Sequence, residues 1–269
     1  MTTIVRAFPA FLRVYIGVML QYRGEIILWA IWGLVNPAVL YAMWSAAAEG
    51  RPDGQIAGFS KGQLAAYYFA IMVIGHVTTA WDTYEMGYRI RSGELSAKLL
   101  RPILPIWESM ANNLAYKIAT LGFLAPMWAI CFWLYAPDFR APPWQITVGI
   151  FTIVLAGALN FVLGYVVSLI AFWTPKLDAV GEVYFGLSMF LGGRFSPMLA
   201  LPGAVLSFAW ALPFRWMFAF PAEVLTGKMT DTGQIATGLA MQLVWLAGLV
   251  ILFRVGWAAA VKRYSAVSG

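Results

Sequence analysis

The 269-residue chain has a single cysteine, Cys131, and a single histidine, His76. One thiol cannot close an internal disulfide, and one Cys with one His cannot build a Cys/His metal site, so no metal is expected. Charge is scarce too: Asp, Glu, Lys and Arg make up 11% of the residues, where a soluble domain carries about 25%. With 61% hydrophobic residues and a mean hydropathy of +0.74, the chain reads as an all-α integral membrane protein. Acidic residues are the scarcer sign, leaving a formal net charge of +6. In a membrane chain that excess reports basic cytoplasmic loops, so no nucleic-acid partner is expected. The phosphate-binding pattern G-x-x-x-x-G-K-[ST] does not occur, because Gly227-Lys228 runs on into Met229. The first residues lack a short apolar core with a small-residue cleavage site, and Arg6, Arg13 and Arg23 interrupt them, so no signal peptide is expected.

What is present is a series of apolar runs in a single transmembrane domain, 1–269. Ile4, Phe8, Phe11, Tyr15, Val18 and Tyr22 recur at helical spacing opposite Arg6 and Arg13, which predicts an interfacial amphipathic helix over 4–23 with Pro9 in its first turn. Spans of the roughly 20 residues needed to cross the hydrocarbon follow at 25–48, 64–81, 115–135, 144–173, from 180, and at 235–255, about six in all. Asn36-Pro37 predicts a bend in the first span. Between the last two spans, 198–220 is apolar but broken by Pro202, Gly203 and Pro213, which reads as an extracytoplasmic re-entrant hairpin. With the amino terminus inside, only Arg51, Lys61, Arg140, Arg194, Arg215 and Lys228 lie outside. That bias of about two to one predicts cytoplasmic termini.

The longest charged interruption is 88–106, within YRIRSGELSAKLLRPILPIWE. Ser92 is expected to cap a short helix in which Glu94 and Lys98 stand one turn apart in the favourable order, with Arg101 at the end before Pro102. Ile90, Leu95, Leu99 and Leu100 give it an apolar side for lipid or a partner's groove; the alternative is a capped loop helix with no partner.

The order of an amphipathic first helix, the loop RSGELSAKLLRPI after the second span, and the GGRFSPMLALP break before a re-entrant hairpin resembles the permease subunits of type-two ABC exporters, the ABC-2 family. The likeness is greatest to bacterial permeases that pair with a separate ATPase and often a second permease. It implies that the chain lies in the bacterial cytoplasmic membrane and carries no catalytic site or cofactor of its own. ATP and Mg would be held by two cytoplasmic ATP-binding subunits, with a second permease, identical or related, completing the channel amid membrane lipid. It also implies an ATPase-coupling role for Arg91, Gly93, Glu94, Lys98 and Arg101, with Arg13, Arg23 and the turn at Lys176 and Asp178 as further contacts. A translocation cavity would be lined by Tyr68, Met72, His76, Phe185, Met189 and Phe190, and an outer gate would lie at Gly192, Gly193, Pro197 and Pro202.

Aromatic and methionine walls with few fixed charges in the spans point to export of a hydrophobic or amphiphilic small molecule, cations included, or of a lipid. Two other classes compete. A secondary transporter without an ATPase would show mid-span charges or two related halves, and neither is evident. An intramembrane serine hydrolase would need Ser188 within hydrogen-bond reach of His76.

Overall fold

In lipid, a long apolar segment must satisfy its own backbone, and a helix is the way a single segment does so. The computed structural model describes residues 2–174 and 177–264, and follows that rule. The elements in order are α1 (Thr2–Gln21), α2 (Arg23–Glu49), a hairpin of β1 (Gln55–Ile56) and β2 (Phe59–Ser60), α3 (Lys61–Thr78), α4 (Asp82–Arg91), α5 (Glu94–Leu99), α6 (Pro105–Tyr135) and α7 (Pro143–Ser168), the last extended by a 3-10 turn, Leu169–Phe172. There follow α8 (Leu177–Leu191), a 3-10 turn Met198–Ala200, α9 (Gly203–Ala211), α10 (Pro213–Met217), α11 (Ala219–Leu225) and α12 (Thr232–Arg263). Among the described residues six helical stretches are long and apolar enough to cross a membrane: Ile4–Gln21, Arg23–Glu49, Lys61–Arg91, Pro105–Tyr135, Pro143–Phe172 and Thr232–Arg263.

The protein is thus an all-α multi-pass membrane protein, with differences of detail. The first stretch, expected along the interface, is itself apolar enough to cross, packs along α6, and carries Pro9 in its interior instead of its first turn. The segment expected as a fifth span is the short α8. Helix α2 runs unbroken through Asn36-Pro37, whereas the chain breaks at 79–81, which contain no proline.

α7 is the central post, packed against α3, α4, α10, α11 and α12. Around it Leu64, Tyr67, Leu159, Trp216, Phe220 and Leu249 form the main core, and Met86, Leu95, Tyr165, Leu169 and Phe253 form a second cluster at its other end. The helices α10 and α11 are too short to cross, and they are buried to their last residues. Several of their carbonyls, and the Arg215 charge, are therefore met inside the protein. Gln145 donates to the carbonyls of Val224 and Met229 at 2.7 and 2.6 Å, and Gln242 donates to those of Thr152 and Trp216 at 3.0 and 2.8 Å. Arg215, expected in an outer loop, is 2% exposed and forms a forked pair with Glu223 at 2.7 and 3.3 Å, its guanidinium 4.3 Å from the Trp210 ring centre.

The loops at this end are tied together as well. Ser60 caps α3 in a reciprocal box with Gln63. Lys228 donates to the Gly58 carbonyl at 2.5 Å and lies 4.3 Å from the Phe59 ring centre. Partial burial, and then the nearby positive charge of Arg140, holds its ammonium below the ordinary lysine range.

Removing one partner of a buried ion pair strands the other, at a cost of about 3–5 kcal/mol, while replacing both with apolar groups is far milder. Glu223→Gln should therefore lower the melting temperature of the detergent-solubilised protein sharply, and Arg215→Met with Glu223→Leu should recover most of the loss. Equal melting of wild type and Glu223→Gln would show that the pair does not hold α10 and α11.

Candidate functional site

Two regions stand out, the stretch around α5 and a cavity beside α3 and α8. They share a break in the chain.

Ser92 does not cap α5. It ends α4, and Gly93 makes the turn with φ +74°, a left-handed conformation that glycine adopts without Cβ strain. From there α5 is fixed on several sides. Leu95 is buried in the second cluster beside Met86 and Tyr165, and the Ser96 and Tyr264 hydroxyls bond at 2.6 Å. Lys98 is almost buried and pairs with Glu94 at 2.8 Å and Glu108 at 3.2 Å. Glu108, at the start of α6, also meets Arg101 at 3.0 Å and accepts the Tyr15 hydroxyl of α1 at 2.7 Å. One carboxylate therefore joins α1, α5 and α6.

What this framework exposes is a tip carrying Tyr88, Arg91, Leu100 and Arg101, with Leu100 88% exposed. Arg13 and Arg23 are exposed on α1 and at the start of α2, and among the described residues neither forms an ion pair. Lys176 lies outside the described residues, as does the side chain of Asp178.

Behind the tip, the buried Arg89 pairs within α4 with Asp82 at 3.4 Å and with Glu85, and it ties α4 to α6 by donating to the Ser109 hydroxyl at 2.8 Å. At its other end α4 begins after the break at 79–81, where the carbonyls freed from α3 are captured by side chains of other helices. Asn160 of α7 donates to the Thr78 carbonyl at 2.8 Å. Asn113 and Lys117 of α6 donate to the Thr79 carbonyl, each at 2.8 Å.

The same break forms part of the wall of a cavity of about 760 Å³ between α2, α3, α4, α6, α7 and α8. That volume falls in the drug-sized range of about 300–1,000 Å³. Trp29 and Trp81 meet edge to face at 5.7 Å in its wall, and Tyr184 donates to Asn160 at 2.5 Å. Of the residues expected to line it, His76 and Phe185 do. His76 is bonded to Thr120 at 3.0 Å through Nε2. Tyr68 and Met72 are buried away from the cavity in the core, Met189 packs against the main core, and Phe190 is half exposed, 5.0 Å from Phe195.

Ser188 lines the cavity as well, but its hydroxyl accepts from the Arg194 guanidinium at 3.5 Å, and among the described residues it makes no hydrogen bond with His76. A guanidinium cannot serve as a base, so these two residues do not form the nucleophile and base of a hydrolase.

At the far end of α8, Gly193 takes φ +76° and the amides of Arg194 and Phe195 return to the Met189 carbonyl at 3.2 and 3.0 Å. Tyr67 donates to the Gly193 carbonyl at 2.7 Å, and Tyr68 and Trp44 donate to that of Phe195 at 2.9 and 2.8 Å. Gly192 and Pro197 are buried in this turn and Pro202 is exposed just before α9. Tyr68 thus serves the break at the end of α8.

Sequence reasoning missed Tyr15 and Glu108 as a junction, the Asp82, Glu85 and Arg89 set, and Arg194 as a wall residue of the cavity. The spacing of Glu85 and Arg89, and of Asn113 and Lys117, one helical turn apart, was the available signal. Tyr15 with Glu108, 93 residues apart, left none.

Over residues 34–268 the chain matches the family described as ABC-2 family transporter protein, and it belongs to that family. It is therefore a transmembrane subunit of an ABC transporter, a transport component and not itself catalytic, and membership implies association with an ATP-binding subunit. The comparisons with curated proteins and with solved structures give no match.

Glu108→Gln keeps the shape and removes the charge that Lys98 and Arg101 share. Backbone amides over 94–100 should then exchange hydrogen on the order of tenfold faster, since bonds to charged groups contribute about 1.5–3 kcal/mol. Unchanged exchange, measured by mass spectrometry on the protein in nanodiscs, would show that Glu108 does not anchor α5.

Proposed function

We propose that this chain is the permease of an ATP-driven exporter that moves a hydrophobic or amphiphilic small molecule out of the cytoplasm or the inner leaflet. Two ATP-binding subunits dock at the α5 tip, and a second permease, identical or related, completes the pathway. The observation that carries the reading is the continuity from tip to cavity. An exposed tip of Tyr88, Arg91, Leu100 and Arg101 stands on a helix pair fixed by Leu95, Lys98 and Arg89, and α4 leads directly to the break whose residues line the cavity. Buried, paired charges make α4 and α5 a stiff lever, so that a push at the tip is delivered to the wall at Thr79, Ala80 and Trp81 and is not absorbed in the loop.

Within this reading, Leu100, Arg101 and Arg91 meet the ATPase, with Arg13 and Arg23 beside them. Gly93, Glu94 and Lys98 hold the shape of the lever. The turn at Gly192 to Pro202, pinned by Tyr67, Tyr68 and Trp44, forms the outer gate. ATP and Mg belong to the ATP-binding subunits, and both termini of this chain face the cytoplasm of a bacterium, in line with the charge bias of its loops.

Two experiments test this. The tagged chain, purified with the products of its chromosomal neighbours, should bring down an ATP-binding protein and show ATP-dependent transport in proteoliposomes; a stable chain that transports with no ATPase would overturn the reading. In the same complex, Gly93→Trp forces a bulky residue into the left-handed turn, at about 1–2 kcal/mol of local strain, and Glu94→Lys places a like charge against Lys98. Both variants should reach the membrane in normal amounts yet lose most of the transport per ATP hydrolysed. Wild-type coupling in both would show that α5 is only a surface helix.

A further inference from the structure

Among the described residues Arg194 is the only lysine or arginine in the wall of the cavity. Arg194 is half-buried, and the other buried or half-buried cations described above have a counter-charge or captured carbonyls: Arg215 has Glu223, Arg89 has Asp82 and Glu85, Lys98 has Glu94 and Glu108, Lys117 holds the Thr79 carbonyl and Lys228 that of Gly58. Arg194 has none of these. Its guanidinium reaches the Ser188 hydroxyl at 3.5 Å and lies over two rings, 4.9 Å from the centre of Phe218 and 5.6 Å from that of Phe185. Among the described residues it forms no ion pair. A guanidinium carries five N–H donors in a planar fork that fits carboxylate, sulfate and phosphate oxygens. Rings stacked on its face leave the edge of that fork for a ligand.

The carboxylates of the wall do not cancel this charge. Glu85 is paired with Arg89. Glu25 and Glu182 are exposed, Glu25 in the first turn of α2 and Glu182 in the early part of α8. The Arg194 guanidinium folds back only as far as Phe185 and Ser188, one to two turns further along α8 than Glu182, about 5–9 Å at 1.5 Å per residue. Among the described residues the cavity therefore has an exposed acidic rim and a single cation further along α8, between aromatic rings.

We propose that Arg194 is the head-group anchor of the substrate cavity and that the ligand is an anionic amphiphile. Its carboxylate, sulfate or phosphate head takes the edge of the guanidinium and the Ser188 hydroxyl, and its apolar body lies along Phe185, Phe218 and Trp29. This rests on reading the cavity as the substrate chamber, and it reverses the preference for cations drawn from the scarcity of charge in the sequence.

The test is binding to the full chain in nanodiscs of zwitterionic lipid, read by quenching of tryptophan fluorescence, since Trp29, Trp32 and Trp81 line the cavity. Bromoundecanoate and bromoundecyl trimethylammonium share a tail and differ in head. Wild type should bind the carboxylate on the order of tenfold tighter than the ammonium, Arg194→Gln should erase that preference by weakening the carboxylate alone, and Arg194→Lys should keep most of it. A brominated phosphatidylglycerol that quenches where bromoundecanoate does not would name a membrane lipid as the source of the same anionic head. Preference for the ammonium, equal weakening of both probes by Arg194→Gln, or no quenching by any probe would overturn the proposal. Should Arg194→Gln fail to fold, the wild-type ratio and Arg194→Lys decide it. None of these readings needs an ATPase, so a failure of ATP-dependent transport would count against the export reading and leave the anchor to be judged by binding.

Discussion

The hydrogen bond from a neighbouring helix's side chain to a carbonyl left open at a chain break is the interaction on which the rest of this structure depends. A broken helix in hydrocarbon leaves backbone groups that no water can satisfy, at several kcal/mol each, so breaks persist only where partners are supplied. Here each break has them. Asn160, Asn113 and Lys117 hold the end of α3. Tyr67, Tyr68 and Trp44 hold the turn after α8. Gln145 and Gln242 hold α10 and α11. Helices too short to cross a membrane alone are thereby held against the long ones.

The same bonds decide what can move. The break at 79–81 is held by three side chains on two helices and adjoins α4, which is stiffened by ion pairs within the helix and tied to α6 by the bond from Arg89 to Ser109. Exchanging one carbonyl partner for another costs little, whereas breaking the ion pairs of α4 and α5 costs several kcal/mol. Motion entering at the α5 tip is therefore expected to be taken up at the break, within the wall of the cavity. Arg194, in the GGRFSP turn, lines the same space.

Much of this was legible in the sequence. Apolar runs located the long helices, Glu94 and Lys98 gave the ion pair within α5, and the GGRFSP segment marked the end of α8. The family likeness rested on the same loop and break. What stayed hidden was partnership across long separations. Tyr68 and Met72 read as cavity residues because they are large and lie in a span, but α3 turns them into the core while Ile71, Gly75 and His76 face the space. Arg194 and Arg215 counted as outer-loop charges because the positive-inside rule reads position along the chain, not the direction in which a side chain folds back. Helix α2 stays continuous through Pro37, and the break that matters lies at Thr79, where tertiary hydrogen bonds replace the helix ladder.

The central claim is that the nucleotide state of the ATPase reaches the cavity through α5, α4 and the break. Phe185 lines the cavity, and replacing the single cysteine with serine gives a clean background for one new thiol there. In the complex with its ATP-binding subunits, the rate at which a water-soluble thiol reagent added from the cytoplasmic side labels Phe185→Cys reports the opening of that space. The account predicts that labelling slows by about tenfold or more when ATP is trapped and recovers when it is released, the shift expected of about 1.4 kcal/mol or more in the equilibrium between open and closed forms. Equal rates with and without trapped nucleotide would contradict it.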